Sequence, residues 1–218
     1  GSAIAALSDD EIESDITTLI KNYLDAKQKV SMDEMKECVS DISKIDEKRL
    51  VTEAEYIEEY KNIECTICDD GLSDGIFRVY VYYEAKIYDI DTLVPSLTAL
   101  VVTGTPEGKF LINLSKIDSK DQRAIDKLDN SDEIKKKIDS VQKKLEDIVS
   151  KNADVRDFYQ MLESTNQDSN EENNENIGNE AGSAAQQQQA ADPNQAAPTV
   201  DPNQAAATTD PNQAQPAQ

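Results

Sequence analysis

Histidine is absent from the 218 residues, and so is tryptophan. Without His there is no Ser-His-Asp or Cys-His catalysis, no His-ligated metal and no ordinary proton shuttle near neutral pH. Only three cysteines occur, Cys38, Cys65 and Cys68. Three is not a disulfide framework, and three thiolates without His cannot close a four-ligand zinc site. Cys65-Thr66-Ile67-Cys68 has redox-motif spacing, but it lies in an alternating strand pattern. Residues three apart on a strand face opposite ways, so these sulfurs read as small buried hydrophobes. Glycine is scarce, seven in all, and none sits in a phosphate-binding turn between strand and helix. No apolar run approaches the ~20 residues of a membrane span. The composition calls for no cofactor and no metal.

Positive charge is also short. There are 22 Lys and Arg against 44 Asp and Glu. All the basic residues precede Ser164, where 36 acids leave that part at −14. Such a balance disfavours nucleic-acid backbones and anionic membrane surfaces. From Ser164 onward aromatics, Leu, Lys and Arg vanish, and Asp-Pro-Asn-Gln-Ala recurs at Asp192, Asp201 and Asp210. These units have no apolar face to stack. The expected organisation is one domain at 8–163 and a disordered low-complexity linker at 164–218, spanning ~40 Å root-mean-square if flexible. The chain starts Gly1-Ser2, which reads as a cleavage scar on a piece of a longer protein. Ala3-Ile4-Ala5-Ala6-Leu7 then reads as the last of a removed anchor or as a frayed entry to the first helix.

The centre of the chain is Ile76 to Ile117. Ile76–Tyr88 alternates strictly, with Phe77, Val79, Val81, Tyr83, Ala85 and Ile87 on one face. Arg78, Tyr80, Tyr82, Glu84, Lys86 and Tyr88 take the other. One face is therefore expected to be buried and one amphipathic. Strands near Ser96–Thr103 and Lys109–Ser115 follow, joined by the Gly- and Pro-bearing turn 103–108. Before this meander, Ser8 and Glu11 form a capping box for a helix of about twenty residues. Ser31 and Glu34 open a second helix, with Met32, Met35, Cys38, Val39 and Ile42 on one side. Leu50, Val51, Ala54 and Ile57 mark a third. Period two begins near Tyr60 and gives a first strand at Ile63–Cys68. Asp69–Gly75 is a polar hairpin turn, since it lacks the alternating ligands and distal Glu of a calcium loop. After the meander, Ser119 caps a helix to about Leu128 and Ser131 caps a longer one. The apolar positions Ile134, Ile138, Val141, Leu145 and Ile148 fit an amphipathic helix or a coiled coil. Asn152-Ala153-Asp154 breaks it, and Val155, Phe158, Tyr159 and Leu162 form a last short packed turn.

Two constellations are candidate sites. Arg78, Tyr80, Tyr82 and Tyr88 share the amphipathic sheet face. Aromatics with Arg are what partner surfaces use, and the same row is also what a wet strand face looks like. Tyr23, Tyr56 and Tyr83 are candidates for lining a cavity where helices close over a curved sheet, or for plain core.

The order of three helices, a strand, a three-strand meander and returning helices resembles the nuclear transport factor 2-like (NTF2-like) fold. Glu55-Tyr56-Ile57-Glu58-Glu59-Tyr60-Lys61-Asn62-Ile63 is similar to the helix-to-strand junction of an extracytoplasmic family of gut Firmicutes. Val81 to Leu97 resembles its central signature, a strand ending in Ile90-Asp91-Thr92, then Pro95, a small residue and Leu97. Leu93 and Ser96 stand where a Pro or small residue and a Gly are usual. Asp41–Leu50 and Asp154-Val155 with Phe158 and Leu162 also fit. The resemblance implies an α+β cone, a curved antiparallel sheet with helices on its concave face. It implies a cell-surface protein held by an N-terminal membrane anchor, with a linker and often an SH3-like wall-binding domain. No catalytic residue is carried over. The expected role is a non-enzymatic binding or spacer module with an envelope protein or glycan partner, the tyrosine face serving as a weak homodimer contact or a hetero-partner site. The alternative is a small-molecule or isomerase-like enzyme with a closed pocket.

Overall fold

Each long helix begins on a side chain that satisfies its first free N–H groups. In the computed structural model, which describes residues 3–172, α1 (Asp9–Lys29) starts from the Ser8–Glu11 capping box. Its first turn holds Asp9, Asp10 and Glu11 and its last turn Lys27 and Lys29, which complements the helix dipole. Ser31 caps α2 (Met32–Lys36), Asp46 caps α3 (Glu47–Tyr56), Asp118 caps α4 (Ser119–Asp129) and Ser131 caps α5 (Asp132–Lys151). Asn152 separates α5 from α6 (Ala153–Glu172). Its Oδ1 accepts from the Val155 N–H, and its Nδ2 donates to Thr92 Oγ1 at 2.7 Å. The break between the two helices is thus also a tie to the sheet.

The strands β1 (Ile57–Cys68), β2 (Ile76–Ile87), β3 (Val94–Gly104) and β4 (Phe110–Ile112) form one antiparallel sheet in sequence order. The protein is therefore α+β, as the patterning indicates. β1 is longer than the expected Ile63–Cys68, because two register shifts hide its alternation. At the second, Lys61 pairs with Glu84 and Glu64 with Tyr82, so β1 spends one extra residue. Asn62 takes the left-handed conformation there, φ 53°. The bulge lets Tyr60, before it, and Ile63, Cys65 and Ile67, after it, all pack on one core.

α2 is shorter than expected. Cys38 and Val39 leave the helix and run along the outer edge of β4. Val39 bridges Ile112, Ile112 N–H donates to Cys38 O, and Ser40 N–H donates to Ile112 O. The open edge of a three-residue strand is what draws them there. The N-terminal run is not frayed either. Ala3–Ala6 is a 3-10 turn, and Ile4 is buried against Gly104. A Cβ on Gly104 would stand 2.5 Å from Ile4 Cγ1, so only glycine permits this approach.

Both faces of the sheet are covered, which corrects the expectation of helices on the concave face alone. Val79, Val81, Tyr83, Leu100 and Val102 meet α1, α2 and α3 in a first core. Tyr80, Leu97 and Ala99 meet α5 and α6 in a second. Val101 with Ile117 and Ile125 of α4 makes a smaller third. The alternation of β2 has a polar half, but its tyrosines and arginine are long enough to be buried with their polar ends paired. Cys65 packs at the rim of the first core and Cys68 at the rim of the second, on opposite faces as the strand pattern requires. α6 runs to Glu172, past the expected end of the domain at residue 163, so 164–172 continue a helix. The rest of the expected disordered linker, 173–218, lies outside the described residues.

Candidate functional site

Register builds one wall of a groove. Glu64 on β1, Tyr82 on β2 and Leu97 on β3 are lateral partners, and Thr66, Tyr80 and Ala99 form the next row. Paired residues leave the same face of a sheet. α5 lies over β3, with Val141 and Leu145 in the second core. The β1 side of that face stays open, and a groove of about 500 Å³ remains between α5 and β1–β2. Its other wall is helical. Lys136, Ser140 and Lys144 recur every fourth residue, with Lys137 and Val141 beside them, so they share one side of α5.

Tyr82 is the hinge of the charge pattern. Its hydroxyl donates to Glu84 Oε1 at 2.9 Å and accepts from Lys144 Nζ at 2.9 Å. Lys144 Nζ is 3.5 Å from Glu84 Oε1 and 5.5 Å from the Tyr82 ring centroid. Asn62 Nδ2, brought in by the bulge, donates to Glu84 Oε2 at 3.1 Å. Burial pushes the Glu84 carboxyl up. The hydrogen bonds from Tyr82 and Asn62 and the charge of Lys144 more than offset it, and Glu84 titrates below the usual glutamate value. Lys144 is pushed up, first by its bond to Tyr82. The pair stays charged across neutral pH.

The four sheet-face residues expected to act together are divided. Tyr80 and Tyr82 line the groove. Arg78, one row further along the same face, is fully buried. Its Nε and Nη2 donate to the two oxygens of Asp129 at 3.0 and 2.9 Å. Tyr80 donates to the same carboxylate at 2.6 Å, and burial raises its phenol well above the ordinary value. Arg78 and Tyr80 thus bolt the end of α4 to the sheet, with both side chains buried there. Tyr88 is exposed at the strand end, outside the groove. α5 lies over the β3 side of this face.

The expected pocket tyrosines are divided too. Tyr23 and Tyr83 are buried in the first core, and Tyr56, half-buried, packs at the rim of both cores with its ring on Phe158. Tyr83 stacks edge-on with Tyr60, centroids 5.1 Å apart. Beside them Lys27 Nζ meets Glu53 Oε1 at 2.9 Å, with both side chains 3% exposed. Tyr60 donates to that oxygen at 2.7 Å. Burial, then the Glu53 charge, raises the phenols of Tyr23 and Tyr60, so they remain donors. None of these tyrosines lines a groove described here. Tyr23, Tyr60 and Tyr83 with Lys27 and Glu53 form a packed polar knot joining α1, α3, β1 and β2.

The chain matches no protein-family model, no curated protein and no solved structure.

Two other grooves exist among the described residues. One, about 550 Å³, is lined by Asp15, Asp25, Glu34 and Glu37 with Lys109. No group of three or more His, Cys, Asp or Glu among the described residues could hold a metal ion. The other, about 450 Å³, includes Asp9, Glu13 and Cys65. Burial pushes the thiols of Cys65 and Cys38 up to about 11, which keeps them protonated and unreactive. No described helix is long and apolar enough to cross a membrane. The lysine row of α5 is what the sequence reading missed. The four-residue recurrence of Lys136, Ser140 and Lys144 beside the apolar stripe was its signal.

Proposed function

We propose that this domain is a non-enzymatic binding module of the NTF2-like kind, acting outside the membrane in a Gram-positive cell envelope. An N-terminal anchor holds it there, and its partner is an envelope protein or wall glycan. The observation that carries this reading is the groove between α5 and β1–β2. It is open and polar on both walls, with Glu84 oriented by Tyr82 and Asn62 on one side and lysines of α5 on the other, and such placed polar groups are how recognition sites achieve specificity. The element order of three helices followed by a strand and a meander supports the NTF2-like part. In that comparison α5 and α6 add cover to the second sheet face. The signature Val81–Leu97 supports the envelope part, and its two ends supply Tyr82, Glu84 and Leu97 to the groove.

The isomerase-like alternative needs a carboxylate base beside acidic oxyanion donors inside a closed apolar pocket. Glu84 lies instead in an open groove, with its carboxyl held below the usual value. Tyr23 and Tyr83 fill their space instead of lining one.

The test is capture from a Gram-positive wall extract by the immobilised chain and by the Lys136→Ala/Lys137→Ala variant, which removes two lysines of the helical wall. We expect wild type to retain material that the variant releases. Identical retention by both would sink the groove as the binding site.

A further inference from the structure

We infer that the groove between α5 and β1–β2 binds a short saccharide bearing carboxylate groups, and that Lys144 is its displaceable cover. This rests on the binding-module reading and names the ligand class of the same groove.

The two walls ask for different chemistry. On the sheet side, Glu64 and Glu84 offer oriented acceptors. They are suited to a ligand rich in hydroxyl or amide donors, and they repel a purely anionic one. On the helix side, Lys136 and Lys137 offer point positive charge in a domain that is otherwise strongly acidic. A neutral sugar would leave them without a counterpart. A ligand with many hydroxyls and spaced carboxylates answers both walls at once. Dense phosphate does not, because it cannot avoid Glu64 and Glu84. A strand-like peptide is disfavoured by geometry, since the groove presents side chains of β1 and β2 and no backbone edge.

Between the walls lies an aromatic platform. The Tyr82 ring is half-buried and carries the Lys144 ammonium 5.5 Å from its centroid. The Lys144 side chain is 54% exposed, so it leaves for water without opening the core. Its departure frees the ring face for the apolar face of a sugar and leaves Glu84 held by Tyr82 and Asn62. The groove volume, about 500 Å³, lies in the ~300–1,000 Å³ range of small-ligand clefts. That fits a few linked rings better than a folded partner.

The test uses the full chain and three defined probes in calorimetric titrations at low and moderate salt. A hyaluronan tetrasaccharide alternates N-acetylglucosamine with glucuronate. Chitotetraose has the N-acetyl sugar without carboxylates, and tetraglutamate has carboxylates without sugar. Hyaluronan is expected to bind, with affinity falling as salt rises, and the other two to bind at least tenfold more weakly. Lys136→Ala/Lys137→Ala, at the helix surface, should lose at least tenfold in affinity with an unchanged melting temperature. Lys144→Ala, which removes the cover and keeps the Tyr82–Glu84 bond, should bind hyaluronan at least as tightly as wild type, and weaker binding would overturn Lys144 as a cover. Equal binding of chitotetraose would overturn the carboxylate requirement, and equal binding of tetraglutamate would overturn the saccharide. No hyaluronan binding at millimolar concentration also overturns the inference. In that case wall-extract capture that still depends on Lys136 and Lys137 leaves the broader binding reading standing.

Discussion

Asp129 shows how much one side chain can decide. It is the last residue of α4, where a carboxylate is disfavoured by the helix dipole. Two Arg78 N–H groups and the Tyr80 hydroxyl converge on it. Arg78 is wholly buried and the Asp129 side chain only 11% exposed, so removing the carboxylate strands a buried guanidinium. Breaking one side of such a pair costs roughly 3–5 kcal/mol. Tyr80→Phe removes one charge-assisted hydrogen bond and no ring, a loss of about 1.5–3 kcal/mol. We therefore expect Asp129→Ala to lower the chemical-denaturation midpoint more than Tyr80→Phe. A reversed order, or an Asp129→Ala variant as stable as wild type, would show that the bolt carries little of the fold. The three cysteines make the opposite case. Burial raises all three thiols, and their role is packing.

At the scale of elements, the bulge of β1 has the largest consequence. Ile57–Cys68 looks like a weak strand because its alternation changes phase at Asn62. With the extra residue, Tyr60 and the Ile63–Cys65–Ile67 set share the first core. Without it, one set must turn to the other face, since a one-residue slip exchanges every side chain. Deleting Asn62 should accordingly abolish the cooperative thermal transition. Asn62→Gly tolerates the same φ and loses only the bond to Glu84, about 1 kcal/mol. Circular-dichroism melts of both variants check this, and a deletion that melts like wild type would remove the bulge as the source of register. The same bulge explains what sequence could reveal. β2 and β3 were legible because their side chains alternate or are uniformly apolar, and the caps Ser8, Ser31 and Ser131 were legible because their spacing is local. The first half of β1 was hidden by the phase change. The second core was hidden because Arg78 and Tyr80 read as solvent-facing, and only Asp129, about fifty positions later, makes their burial favourable. The groove inherits that gap, since it needs α5 placed over β3 before Lys136 and Lys144 can face Glu64 and Tyr82.

The whole molecule has a simple relation to pH because it has no histidine. No side chain with an ordinary pKa changes charge between pH 6 and 8, and the cysteines and the core tyrosines titrate higher still. Stability should be flat over that range. On the acid side, Glu84 is held below its usual value by the sum of burial, which raises it, and the Tyr82, Asn62 and Lys144 contacts, which lower it further. Asp41 is lowered by its bonds from Ser43. A carboxyl depressed in the folded state contributes fully above its unfolded pKa, about 4.3 for Glu, and loses that contribution as pH falls through the folded value. The net charge of −22 works against this. Protonating surface acids relieves self-repulsion as pH approaches 4.2, the isoelectric point. The two effects separate by salt, because screening removes the repulsion of exposed charges and leaves partly buried pairs largely intact. Melting temperature measured against pH at two ionic strengths should therefore be level from 8 to 6. It should be higher in salt at pH 7, with the salt gain shrinking towards pH 4.2, and should fall below about pH 4. Glu84→Gln should flatten the acid limb. A wild-type melting temperature that already drops between pH 8 and 6 would mean that a group with a strongly displaced pKa is buried somewhere else in the fold.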